Sequence, residues 1–187
     1  MESISIRSLE DLRRHRDLLP ELINLYTQSF PIEERRRLRD FPVRLSSPGH
    51  YPPDIRVFMD TDSPTSAVIG LAVLYHLPSA IYLEYLCTSP RLRSHGLGHT
   101  LLSHLLEEHP LMLLEVEPLG STEWADRRIG FYRRLGFQLL DIPHFQPPYH
   151  SQHQGIPLSL MLHGDAEDPL LLQEELLRLV YRLEQTP

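Results

Sequence analysis

The sequence predicts an α/β chain of the α+β type, built on a mixed, mostly antiparallel central sheet with helices on both faces. Three observations predict it. Apolar, β-prone segments recur between residues 55 and 87 with links of hairpin length, which makes those strands antiparallel neighbours. Segments with apolar residues at helical spacing stand before and after that block. The fourth and fifth strand-like segments enclose a helix, so they lie parallel.

In chain order, residues 3–9 alternate around Ile4 and Ile6 and read as the first strand. Residues 11–30 carry Leu18, Leu22, Ile23, Leu25, Tyr26 and Phe30 at helical spacing. Pro31 opens a second, charged helix over 32–40, expected to end before Pro42. Residues 46–53 are rich in proline and glycine and form a loop. Strands follow over 55–59, 67–75 and 81–87. Leu101, Leu102, Leu105 and Leu106 give the helix over 98–108 one buried stripe. The apolar run 111–116 reads as a strand buried on both faces. A helix over 124–135 ends on Gly136 in the left-handed cap position. Strands over 137–142 and 156–162 flank a proline-rich loop, and an amphipathic helix over 170–183 closes the chain.

Composition narrows the function. The 187 residues suffice for one domain, and no segment is long and apolar enough to span a bilayer. The 18 basic residues, all Arg, against 25 acidic ones give a net charge of −7, which argues against nucleic acid as the partner. The N-terminus lacks the pattern of an export signal, and the single Cys87 cannot form an internal disulfide, so a cytoplasmic location is expected.

Arg93, Ser94, His95, Gly96, Leu97 and Gly98 stand directly between a strand and a helix. Gly96 and Gly98 let the backbone bend tightly and approach a ligand without Cβ interference. The N–H groups of the turn and the free donors of the following helix converge there, an anion site suited to a pyrophosphate.

On these residues the chain resembles the GNAT N-acetyltransferase superfamily, whose signature is (Arg/Gln)-x-x-Gly-x-(Gly/Ala); Arg93, Gly96 and Gly98 match it. The strand ahead of it, from Tyr82 to Thr88 and followed by Ser89 and Pro90, has the family's form. Phe131, Tyr132, Arg133, Arg134, Leu135, Gly136 and Phe137 are similar to its second marker. The resemblance covers about 55–162. It implies one GNAT-like domain over 1–187, with acceptor-side helices in 11–41, a cofactor core in 55–142 and a C-terminal strand and helix in 155–185. It also implies a splayed parallel strand pair and acetyl-coenzyme A as cofactor. Leu86, Cys87 and Thr88 would line the pantetheine arm, and the turn 93–98 with His99 would hold the pyrophosphate. Where many members carry Asn and Ala before the helical Tyr, this chain has Ala125 and Arg128, so a polar contact to the cofactor arm is missing or replaced.

Acetylating an amine requires a base, an oxyanion donor and an acid for the leaving thiolate. Glu84 and Glu115 each interrupt an apolar strand, and a buried carboxylate is costly unless it is paired or faces a cavity. Either is a candidate base, with Glu117 third; the structural alternative for each is an ion pair with Arg128 or Arg133. Tyr132 is the candidate acid, and the N–H of Leu86, or of a neighbour on a bulged strand, the oxyanion donor. Phe30, Glu33, Arg36 and Tyr149 are candidate acceptor-side residues. His144, His150, His153 and His163 lack the spacing of a metal site, so no metal is expected. Cys87 is expected to pack, not to react. The expected reaction is direct acetyl transfer to a primary amine, small-molecule or peptide, in a ternary complex. A longer-chain acyltransferase and a non-catalytic coenzyme A-binding sensor stay open beside it. So do a homodimer through the closing helix and a monomer. The absence of Lys fits Arg-biased codon usage, and would also spare such an enzyme its own side chains.

Overall fold

The computed structural model of the chain describes residues 1–46, 51–61, 67–92, 96–149 and 154–181. Eight strands, β1 (Glu2–Ile6), β2 (Pro53–Asp60), β3 (Ala67–His76), β4 (Ile81–Thr88), β5 (Met112–Val116), β6 (Gln138–Leu139), β7 (His144–Gln146) and β8 (Ile156–His163), form the sheet. Their order is β1-β2-β3-β4-β5-β8-β6, with β7 also paired to β8. Among these, β4 and β5 run parallel; the other pairings are antiparallel. The helices are α1 (Leu9–Arg14), α2 (Leu19–Ser29), α3 (Asp40–Ser46), α4 (Leu97–Glu108), α5 (Glu123–Arg134) and α6 (Pro169–Glu175).

The period-two alternation of the strands builds a core on each face. Leu71, Val73 and Tyr75 of β3 pack on one side with Leu22, Leu25 and Tyr26 of α2 and with Leu172, Leu176 and Val180 at the C-terminal end. Ala72 and Leu74 pack on the other with Leu101, Leu102 and Leu105 of α4 and Ile129 of α5. Gly70 permits the close seat of α4: a Cβ there would lie 2.2 Å from Leu101 Cδ1.

Four segments depart from the sequence expectation. The helix expected over 11–30 is α1 and α2, parted by a 3₁₀ turn at Arg16–Leu18. Pro20 has no N–H to donate to the carbonyl four residues back, so one α-helical ladder cannot run through it and it sits in the first turn of α2. No helix forms over 32–40 beyond a 3₁₀ turn at Ile32–Glu34. Side chains capture that backbone instead: the Tyr85 hydroxyl donates to Glu34 O at 2.8 Å and accepts from Arg36 N at 3.1 Å, while Tyr26 donates to Arg36 O at 3.2 Å. The helix comes later, as α3, with Pro42 in its first turn, where an N–H has no helical acceptor. The strand expected over 137–142 shortens to β6, and β7 forms in the segment read as a loop. Finally, α6 passes into a π turn, Leu176–Val180, closed by Tyr181 N–H on Leu176 O at 3.3 Å.

Candidate active site

The parallel pairing of β4 and β5 ends at Leu83 and Leu114. The next residue of β4 is a bulge: Val73 faces Tyr85 and Leu74 faces Leu83, leaving Glu84 without a partner. Tyr82 and Tyr85 consequently point to the same face. Beyond the bulge the strands part around a cleft of about 420 Å³. Glu84, Leu86, Cys87 and Thr88 form one wall, Glu115 and Glu117 the other, and Tyr132, Phe30, Glu34 and Tyr149 also line it.

The two strand glutamates are held differently. Glu84 Oε1 accepts from Arg36 Nε at 2.6 Å and from the Tyr149 hydroxyl at 2.9 Å. The guanidinium lies 4.3 Å from the Tyr149 ring centroid. Burial opposes the Arg36 charge, but Glu84 and nearby tyrosines hold its pKa well above the ordinary value. Glu84 Oε2 is buried with no hydrogen bond among the described residues. Glu115, by contrast, accepts at Oε2 from the Tyr181 hydroxyl at 2.5 Å and from the Tyr82 hydroxyl, and its Oε1 lies 2.5 Å from His144 Nε2. Burial first, and the Glu115 charge second, push both tyrosines well above their usual pKa, so they stay neutral donors. Neither glutamate pairs with Arg128 or Arg133. Arg128 instead holds Glu117 at 2.5 Å. Burial and the nearby Glu117 raise the pKa of Glu34.

Tyr132 lies on α5 against the rings of Phe131 and Phe137, and its hydroxyl makes no hydrogen bond among the described residues. Burial raises its pKa, with Arg128 pulling the other way. It is a neutral phenol at the cleft wall.

At the turn before α4, Arg93, Ser94 and His95 lie outside the described residues. Gly96 precedes α4 with φ 72 and no side chain caps the helix. An added Cβ at Gly96 would meet nothing within 4 Å. A second cavity of about 340 Å³ lies there, lined by Thr88, Gly96, Leu97, Gly98, His99 and Arg134 among others. Thr88 lines both cavities. A helix start that no side chain caps among the described residues, a nearby Arg and the β4 edge beyond its pairing with β5 fit an elongated molecule with a pyrophosphate and a thioester end.

Not every candidate gathers here. Glu33 is exposed and absent from the cleft wall, where its neighbour Glu34 stands. Arg36 is buried, paired to Glu84, and is not part of the cleft wall. His150 and His153 lie outside the described residues, and His163 donates to Pro110 O at 2.6 Å, apart from His144. The sequence assigns no site role to Tyr82, Tyr181 or Arg134, and His144 enters it only as a rejected metal ligand. Arg134 sits inside the second marker and was legible as a cation near the turn. His144 was not, because the pairing of β7 with β8 brings it to Glu115.

Residues 17–137 match the acetyltransferase (GNAT) family, and the chain belongs to that family. YjbC of Bacillus subtilis (strain 168), assigned as an acetyltransferase, is 26% identical over 113 residues. The match covers 60% of this chain and 54% of YjbC, so the chain spans about half the length of that relative. A solved Bacteroides thetaiotaomicron protein assigned to the GNAT acetyltransferases is 29% identical, with a TM-score of 0.83 over 98% of this chain and 100% of that one. Arabidopsis thaliana Naa50, solved with the bisubstrate analogue CoA-Ac-MVNAL, shares the fold at 16% identity and a TM-score of 0.56, covering 88% of this chain and 98% of its own. The cofactor of the family is acetyl-coenzyme A. No helix among the described residues is long and apolar enough to cross a membrane.

Proposed function

We propose that this protein transfers the acetyl group of acetyl-coenzyme A to a primary amine that attacks directly in a ternary complex. One observation carries the proposal: the cleft opened by the Glu84 bulge places two buried carboxylates and a neutral phenol together, and runs through Thr88 to the uncapped start of α4. Bound acetyl-coenzyme A supplies the activated thioester. The first-turn N–H groups of α4 and the Arg134 guanidinium suit its phosphates, and the free edge of β4 from Leu86 to Thr88 suits strand-like bonds to its arm.

An alkyl ammonium has a pKa near ~10, so only about one molecule in 10³ is neutral at pH 7 and a base must take the proton. Glu115 suits that role better than Glu84. Glu84 is committed to a buried guanidinium, whereas Glu115 is held by two neutral tyrosine hydroxyls and the His144 imidazole. A carboxylate offers about four acceptor positions, and Tyr82, Tyr181 and His144 occupy all but one. Tyr132 holds the proton for the departing sulfur, and the Leu86 N–H beside the bulge is the oxyanion donor. Glu34, Glu84, Glu115 and Glu117 line the cleft against Arg128, with Arg36 paired to Glu84, and the surplus of carboxylates favours a cationic acceptor. The single Cys87 of the sequence cannot form an internal disulfide, which supports a cytoplasmic location.

The test follows free thiol release from acetyl-coenzyme A across a panel of primary amines. Glu115→Gln should lower kcat at pH 7 by about 10²–10⁴-fold with the acetyl-coenzyme A affinity retained. Cofactor binding without turnover on any amine, or full turnover by Glu115→Gln, sinks the proposal.

A further inference from the structure

We infer that Gln173 and His144 form a hydrogen-bond chain that positions Glu115, so that helix α6 sets the acid limb of the pH–rate profile. The inference rests on the reading of Glu115 as the base. His144 has 0% side-chain exposure, with Nε2 2.5 Å from Glu115 Oε1. On its far side, Gln173 Nε2 lies 3.1 Å from His144 Nδ1 and 2.7 Å from Pro143 O. An amide nitrogen carries two hydrogens and accepts none, and the Pro143 carbonyl can only accept. The Gln173 amide is therefore fixed in one sense and donates both hydrogens. His144 Nδ1 must accept, which leaves its own proton on Nε2, donated to Glu115.

The consequence is positional. The Nε2–H occupies one site on Glu115 Oε1, and the tyrosines secure Oε2, so the remaining acceptor position of Oε1 is left for the cleft. Among the described residues, Tyr82 from β4, Tyr181 beyond the π turn and His144 from β7 face Glu115, with Tyr149 acting at longer range. The opposing β8 residue, Leu160, brings no charge. A change at Gln173 reaches Glu115 through the imidazole.

Gln173→Glu replaces a donor with an acceptor. His144 should then bind a second proton and become an imidazolium beside Glu115. A cation there holds Glu115 ionised to lower pH, so the acid limb of kcat/KM should move down by about one pH unit. His144→Phe removes a donor and should move the limb up, with the KM for acetyl-coenzyme A unchanged; His144→Gln, which restores a donor, should recover part of the shift. In the full-length protein, long-range ¹H–¹⁵N NMR of labelled histidine should show His144 as the neutral Nε2–H tautomer, turning to imidazolium in Gln173→Glu. An Nδ1–H tautomer in the native protein overturns the inference. So does an acid limb unmoved in Gln173→Glu, which carries the test if His144→Phe fails to fold. If Glu115→Gln is inactive while the limb stays put, only this inference falls. If Glu115→Gln is fully active, the base assignment falls and takes the inference with it.

Discussion

Replacing Arg36 by Met removes the positive half of an ion pair in which the two side chains retain only 6% and 1% of their exposure. Met keeps much of the length and none of the charge. The change deletes a 2.6 Å bond to Glu84, a 3.4 Å bond to Val180 O and the stack over Tyr149. The stranded carboxylate dominates the cost: Glu84 keeps only the Tyr149 hydroxyl, because Oε2 has no partner among the described residues. Removing one partner of a buried pair costs about 3–5 kcal/mol, against about 0–1 kcal/mol for an exposed pair. Burial decides which figure applies here. In a chain of 187 residues each kcal/mol moves Tm by about 2–4 °C, so Tm should fall by roughly 6–20 °C. Urea titration at pH 7 measures the loss, and Glu84→Gln added to Arg36→Met should recover most of it, since a neutral amide needs no counter-charge. Acidifying the single variant should also narrow its deficit, because a protonated Glu84 needs no cation. A loss below about 1 kcal/mol, with no recovery in the double variant, would refute the reasoning.

Three further outcomes are expected. Tyr132→Phe should lower kcat by about 10²-fold or more with little change in acetyl-coenzyme A affinity. Because burial raises this phenol's pKa, the native enzyme should show no alkaline fall from it below pH ~10; unchanged kcat in the variant would remove the acid assignment. Gly96→Ala meets no neighbour within 4 Å, so its cost is backbone strain at φ 72, roughly 1–2 kcal/mol. Calorimetry should show weaker coenzyme A binding, while Gly98→Ala, whose Cβ would rest 3.7 Å from Phe131, should fold normally; native affinity in Gly96→Ala would exclude the turn as the phosphate cradle. Asp54, with 1% side-chain exposure, pairs with Arg7 at 2.6 Å and Arg56 at 3.0 Å. Burial works against its charge, yet His76, Arg7, Ser5 and Arg56 together hold its pKa well below the ordinary range. A depressed folded pKa gives stability that is present above the unfolded value near ~3.9 and lost as pH falls through the folded one. Asp54→Asn should therefore lower Tm at pH 7 and flatten the acid side of the Tm–pH curve, and parallel curves would contradict this.

The sequence alone determined the features that neighbours in the chain decide. Strand alternation through 67–75, the stripe of Leu101, Leu102 and Leu105, the turn around Gly96 and the left-handed stop at Gly136, with φ 91, all follow from local backbone preference and periodicity. Glu84 and Glu115 were legible for a related reason, as charges inside apolar runs. Only tertiary structure decided how each is held. The Glu84 bulge depends on the register between β3 and β4, which no single segment encodes. The backbone from Glu34 to Arg36 gave up helix for tyrosine hydroxyls supplied by α2 and β4. Arg36 meets Glu84 across 48 residues and His144 meets Glu115 across 29. Such contacts exist because burial penalises an unpaired polar group, and packing, not sequence proximity, selects the partner that satisfies it.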